Sequence, residues 1–204
     1  MLWSVLLAGA ALAGLDGSNC ITMDILPQAG PLRAPAGQWA NADGKGERDA
    51  FNDNFPNEIQ SENFALKWGN KKSISAAEAD NLLESFELAW GVLLEDMGHA
   101  APQGSSQFLF NIYIGGSGAG APPMHGAAGY FTLDDNGWPM IVMNRDVAQD
   151  LVYAEKVAIH EFYHATQYAA ERFGYDGMDA WYWEATANWA ASHVRPETSY
   201  LIST

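Results

Sequence analysis

Apolar residues recur at the spacing of one helix face between residues 79 and 97. Ser75 and Glu78 form the capping box that begins a helix, and Gly98 is a residue type that commonly ends one. We therefore predict a helix that begins after Ser75 and turns one apolar stripe toward the core. The stripe consists of Ala79, Leu82, Leu83, Phe86, Trp90, Leu93, Leu94 and Met97.

Shorter apolar segments predict strands. Residues 61–68 (SENFALKW) alternate apolar and other side chains toward their end, and residues 107–114 (QFLFNIYI) form a mostly apolar run. Residues 129–133 and 140–144 flank the sequence DDNG, in which Asn-Gly is a strong signal for a hairpin turn. The pattern predicts at least one β-hairpin and two further strands.

Two more helices are predicted toward the C-terminus. Residues 150–173 read as a helix that ends at Gly174, and residues 179–194 read as a second one with Asp179 as its cap. Because strands and helices are mixed along the chain and do not alternate strictly, we predict an α+β fold.

The N-terminal part has a different composition. Residues 2–13 (LWSVLLAGAALA) resemble the hydrophobic region of a signal peptide and are shorter than the about 20 residues that span a bilayer. Pro, Gly, Asn and Asp are frequent over residues 27–57. We expect a signal peptide at 1–14, an irregular segment at 15–59 and one domain at 60–204, in a secreted or periplasmic protein without stable membrane insertion. A buried N-terminal helix or strand is the alternative, because no Lys or Arg precedes the run.

Composition and charge narrow the function classes. Hydrophobic residues make up 48% of the chain and charged residues 17%, which is enough apolar material for a packed core. The net charge of −15 repels a phosphate backbone, and no basic cluster offsets it locally. Nucleic acid is therefore excluded as an expected partner. The single Cys20 leaves the compartment open, and the sequence does not indicate an oligomeric state.

The candidate chemistry lies in residues 160–164, HEFYH, an H-E-x-x-H pattern. His160 and His164 are four residues apart and share one helix face, so both imidazoles can reach one metal ion. Glu161 is turned by about 100° from His160 and can accept a proton from water beside the metal. The alternative is that both histidines make hydrogen bonds inside the core.

A catalytic zinc usually has three protein ligands and keeps one position for water. Glu184 lies 20 residues after His164, on the next predicted helix, and can supply a carboxylate. Asn188, four residues further on, can accept a hydrogen bond from a ligating imidazole. Asp176 and Asp179 are alternative ligands, although they occupy positions typical of turn and cap residues.

Taken together, these residues resemble the gluzincin metallopeptidases, in which a thermolysin-like H-E-x-x-H helix is followed by a glutamate on a second helix. The resemblance is closest to secreted bacterial proteins predicted to be metalloproteases, through HEFYHATQ at 160–167 and WEATA at 183–187. Gln167 and Ala170 stand where metzincins have Gly and His, so that branch is excluded. The similarity in the order of elements covers residues 60–195.

The resemblance implies a zincin-like fold, with a small mixed sheet, an active-site helix and a second helix that bears a ligand. It implies Zn²⁺ held by His160, His164 and Glu184, with Glu161 as the general base for peptide-bond hydrolysis. The implied partner is a protein or peptide substrate, bound along an edge strand of the hairpin at 129–144.

Other interpretations stay open. Gluzincins commonly have a further helical subdomain that stabilises the oxyanion, so we expect either a C-terminally truncated domain or a role for Tyr182, His193 or Tyr200. One alternative function is a non-catalytic module of the same fold that binds zinc or peptide. Another is a secreted polymer-binding protein that uses Trp181, Tyr182 and Trp183, although tryptophans beside a ligand helix more often belong to the core.

Overall fold

The computed structural model describes residues 55–71, 73–134, 137–170 and 180–197. The predicted signal peptide and most of the irregular segment lie outside these residues. The elements are β1 (Asn57–Gln60), β2 (Phe64–Trp68), α1 (Ala76–Trp90) continued by a π-helix (Gly91–Asp96), β3 (Phe110–Gly115), β4 (Gly129–Leu133), β5 (Pro139–Asn144), α2 (Arg145–Ala148), α3 (Leu151–Ala169) and α4 (Ala180–Val194). The predicted α+β class is confirmed.

The strands form one mixed five-stranded sheet in the order β1-β2-β3-β5-β4. β2, β3 and β5 are parallel, while β1 and β4 are antiparallel edge strands. The predicted hairpin is confirmed, because Leu133 pairs with Pro139 and Gly137 has a φ of 82°. β1 begins at Asn57, so the expectation of irregular chain up to residue 59 is wrong there. An edge strand with the polar sequence NEIQ lacks the apolar alternation that identifies a strand.

One face of the sheet carries the main core. α1 and α3 cover this face, and α4 packs on α3. Phe64 of β2 lies at the centre of an aromatic cluster, with ring centroids 5.4 Å from Phe86 of α1 and 5.3 Å from Phe162 of α3. The opposite face carries a smaller cluster, consisting of Tyr113, Ala127, Tyr130, Met140 and Val142.

The start of α1 agrees with the prediction. The Ser75 hydroxyl accepts a hydrogen bond from the backbone N–H of Glu78, and the Glu78 carboxylate accepts one from the backbone N–H of Ser75. After Trp90 the helix widens into the π-helix, which apolar spacing alone did not indicate. Gly98 follows with a φ of 72°, a conformation that glycine adopts without strain.

α3 is the central helix of the molecule, since all residues from 156 to 168 are buried. Its first turn is capped by Asp150, whose carboxylate accepts a hydrogen bond from the N–H of Tyr153 over 3.2 Å. Gly129 allows β4 to lie close to this helix, because a Cβ at that position would be 2.9 Å from Val157 Cγ1 and 3.0 Å from Glu161 Cγ. Among the described residues, no helix combines the length and apolarity needed to cross a membrane.

Candidate metal centre

Three side chains from α3 and α4 converge on one point. His160 and His164 lie one turn apart on α3, and their Nε2 atoms are 3.1 Å apart. Glu184 of α4 faces both rings, with one carboxylate oxygen 3.2 Å from His160 Nε2 and the other 3.4 Å from His164 Nε2. This group could hold a metal ion.

The distances between these donor atoms fit zinc. Nitrogen and oxygen ligands about 2.0–2.2 Å from a tetrahedral zinc ion are about 3.3–3.6 Å from one another. The N–N separation of 3.1 Å and the N–O separations of 3.2 and 3.4 Å, which end on different oxygens of Glu184, lie close to that range. Two imidazoles and one carboxylate are also a known ligand set for catalytic zinc. The side chains present therefore fit such an ion.

The electrostatics of the group favour a cation. Burial by itself lowers the pKa of His164, but hydrogen bonding to Glu184 and the charges of Glu184 and Glu161 raise it above its usual value. Burial raises the pKa of Glu184, and the hydrogen bonds and charges of both histidines outweigh this and hold that pKa well below its usual range. Without a metal, the His164 ring thus holds a proton more readily than a free imidazole does.

Asn188 lies where the sequence analysis expected a hydrogen-bond partner for a ligating histidine. Its Oδ1 is 3.2 Å from Nδ1 of His160, and the contact joins α4 to α3. With Nδ1–H as the donor, the other ring nitrogen of His160 presents a lone pair toward Glu184 and His164. A partner of this kind fixes both the tautomer and the ring orientation of a ligand.

Gln167 makes the corresponding contact to the second histidine and was not predicted as a site residue. Its Oε1 is 2.7 Å from Nδ1 of His164. The sequence did contain a local signal, because residues three apart on a helix are neighbours on its surface. Trp183 adds a flat wall, with its ring 6.0 Å from that of His164 and inclined by 23°.

Glu161 is almost completely buried, with 1% of its surface exposed. Together with His160 it lines a small pocket, whose wall also includes Tyr153, Lys156 and Asn188. Glu161 is not one of the three converging donors. Helix geometry predicts this, because adjacent residues such as His160 and Glu161 are turned by about 100° from each other. The base candidate therefore borders an open space directly beside the metal candidate.

A protein-family profile matches residues 31–203, and its description is Family of unknown function (DUF6055). The chain belongs to this family. The matched range includes the converging residues on α3 and α4, but the family description assigns them no role. No curated protein and no solved structure matches the chain.

The other residues of this DUF6055 chain that the sequence indicated as candidates do not form one cluster. Trp183 is buried, whereas Trp181 is 71% exposed, so the expectation that it belongs to the core is wrong. Tyr182 is also exposed. His193 is exposed and stacks on Trp189. The alternative ligands at 176 and 179, and the tyrosine at 200, lie outside the described residues.

Proposed function

We propose that this protein is a zinc-dependent peptidase in which His160, His164 and Glu184 hold the metal and Glu161 is the general base. The convergence of the three side chains carries this proposal, since the two histidine Nε2 atoms are 3.1 Å apart and each has a Glu184 oxygen within 3.4 Å. The apolar run at residues 2–13 supports export as part of the same proposal.

Zinc, when bound, lowers the pKa of a coordinated water molecule and polarises a carbonyl group. Glu161 accepts the proton from the attacking water and transfers it to the leaving amine. Its position on the same helix as two ligands keeps its carboxylate at a fixed offset from them. Its burial limits exchange of that proton with bulk solvent.

An extended peptide is the substrate class that the surroundings of Glu161 favour. β4 is an edge strand of the sheet, and it crosses α3 at Glu161, where Gly129 permits close approach. An edge strand can bind a peptide backbone by adding it as a further strand. The small pocket lined by Tyr153 and Lys156 then lies beside the bond to be cleaved.

The test compares the wild-type chain with Glu161→Gln, both purified with zinc. We expect one zinc ion per chain in both proteins, and cleavage of a mixed peptide library that falls by about 10²–10⁴-fold in the variant. Undiminished cleavage by Glu161→Gln would remove the role of this residue. Zinc binding without cleavage by the wild type would instead support the non-catalytic module.

A further inference from the structure

Gln167 occupies the junction between α3 and α4. Its side chain is buried and lies one turn beyond His164. Besides its contact with that histidine, its Nε2 donates to Thr186 Oγ1 over 2.7 Å and approaches the Trp183 carbonyl oxygen at 3.3 Å. Both partners belong to α4, within two residues of Glu184. A single amide thus contacts one proposed ligand and the helix segment that carries another.

The orientation of this amide follows from its partners. The carbonyl oxygen of Trp183 can only accept, so the Gln167 atom that faces it is the NH₂ group. The Thr186 hydroxyl donates its proton within α4, at 2.7 Å from the Tyr182 carbonyl oxygen, and its oxygen therefore accepts from Gln167. The amide oxygen is left facing His164.

The tautomer of neutral His164 follows in turn. An amide oxygen can only accept, so Nδ1 of His164 is the protonated nitrogen. The Glu184 carboxylate can also only accept, but its nearer oxygen is 3.4 Å from Nε2, whereas the Gln167 oxygen is 2.7 Å from Nδ1. The shorter contact favours the proton on Nδ1, which leaves the lone pair of Nε2 at the point shared by His160 and Glu184. If the Gln167 amide were flipped, its NH₂ group would face Nδ1 of His164 and favour the tautomer with the proton on Nε2. The Gln167 amide oxygen would then face the Trp183 carbonyl oxygen, and neither oxygen can donate.

We propose that Gln167 is a positioning residue, which selects the metal-binding tautomer of His164. The inference rests on the proposed metal site, but not on cleavage of any substrate. Removing such a partner from a ligating histidine typically weakens metal binding by about 10–100-fold.

The experiment uses the full chain and three variants: Gln167→Met, Gln167→Glu and Thr166→Val. Gln167→Met removes both functions of the amide, while Gln167→Glu keeps an oxygen acceptor for His164 and loses the donor to α4. Thr166→Val is the matched control, because this buried neighbour bonds only within its own helix, 2.8 Å from the Tyr163 carbonyl oxygen. Zinc Kd is measured by chelator competition, and the imidazole tautomer of metal-free protein by ¹⁵N NMR at alkaline pH.

We expect Gln167→Met to raise the zinc Kd by about 10–100-fold and to lose the Nδ1–H tautomer preference of His164. Gln167→Glu and Thr166→Val should keep the tautomer and bind zinc within about threefold of wild type. Equal weakening by Met and Glu would show that Gln167 only clamps the helices and would overturn the inference. If Gln167→Met fails to fold, Gln167→Glu alone decides, by keeping or losing the Nδ1–H tautomer.

Failure of the proposed function gives a different result. One possible result is that the wild type binds no zinc, while His164 keeps the Nδ1–H tautomer only in proteins with an oxygen acceptor at position 167. The proposed metal centre is then wrong, and the positioning role of Gln167 is supported. The opposite result is that the wild type binds zinc, while Gln167→Met changes neither the zinc Kd nor the tautomer of His164. The positioning role of Gln167 is then wrong, and the proposed metal centre is supported.

Discussion

The two helices that supply the candidate ligands differ sharply in their surroundings. α3 is enclosed by the sheet, α1 and α4, and the His164 side chain is completely buried. Within the part of the chain that the structure describes, α4 packs mainly on α3, and Glu184 keeps 33% of its side-chain surface exposed. Trp181 and Trp189 lie on its exposed side.

Because of this difference, the two helices position their candidate residues in different ways. Helix geometry and core packing set the positions of His160, Glu161 and His164, because all three belong to the enclosed part of α3. The position of Glu184 depends on how α4 packs on α3, through contacts that include those of Asn188 and Gln167. Among the described residues, α3 is therefore the buried side of the candidate site and α4 is its partly exposed side.

The largest expected difference in stability is between substitutions of two tryptophans on α4, one on its buried side and one on its exposed side. Trp183→Ala removes a fully buried ring against His164 and should lower the free energy of unfolding by about 3–5 kcal/mol. Trp181→Ala, on the exposed side of the same helix turn, should change it by less than about 0.5 kcal/mol. Chemical denaturation measures both. Similar losses in the two variants would mean that the outer side of α4 is covered in solution.

Substitution of a histidine ligand and substitution of the glutamate ligand should also have different effects. His164→Ala and Glu184→Gln should each weaken zinc binding by at least about 100-fold, more than the loss of a hydrogen-bond partner does. His164→Ala should lower the melting temperature of the metal-free protein more than Glu184→Gln does, since it also leaves a cavity in the core. Isothermal titration and thermal melts separate the two effects. Tight zinc binding by either variant would exclude that residue as a ligand.

The smallest effects concern the packing around α3. Gly129→Ala places a methyl group against Val157 and Glu161, which should cost about 1–3 kcal/mol of stability. Gly91→Ala is the matched control, because it has helical dihedral angles and open space around its Cβ position. It should stabilise the protein by about 0.5–1 kcal/mol. Equal stability of both variants would show that β4 and α3 are less tightly packed than the structure indicates.

The sequence predicted features that depend on local spacing. The H-E-x-x-H geometry follows from the helix repeat, and the capping box at Ser75 involves residues only three apart. The hairpin between β4 and β5 follows from its turn residues. Each of these could be predicted because the interacting residues are near one another in the chain.

Features that depend on distant contacts were missed or wrong. α4 carries large aromatic residues on both its buried and its exposed side, so its periodicity could not show that Trp183 is buried and Trp181 exposed. β1 is a polar edge strand that only its pairing with β2 identifies. The role inferred for Gln167 needs Trp183 and Thr186 from another helix. In each case the deciding contact is tertiary.

Crystals of the full chain grown with zinc, with diffraction measured on both sides of the zinc absorption edge, test the central claim most directly. The account predicts one anomalous peak about 2.0–2.2 Å from His160 Nε2, His164 Nε2 and a carboxylate oxygen of Glu184. Zinc bound elsewhere, with no peak among these three residues, would contradict it.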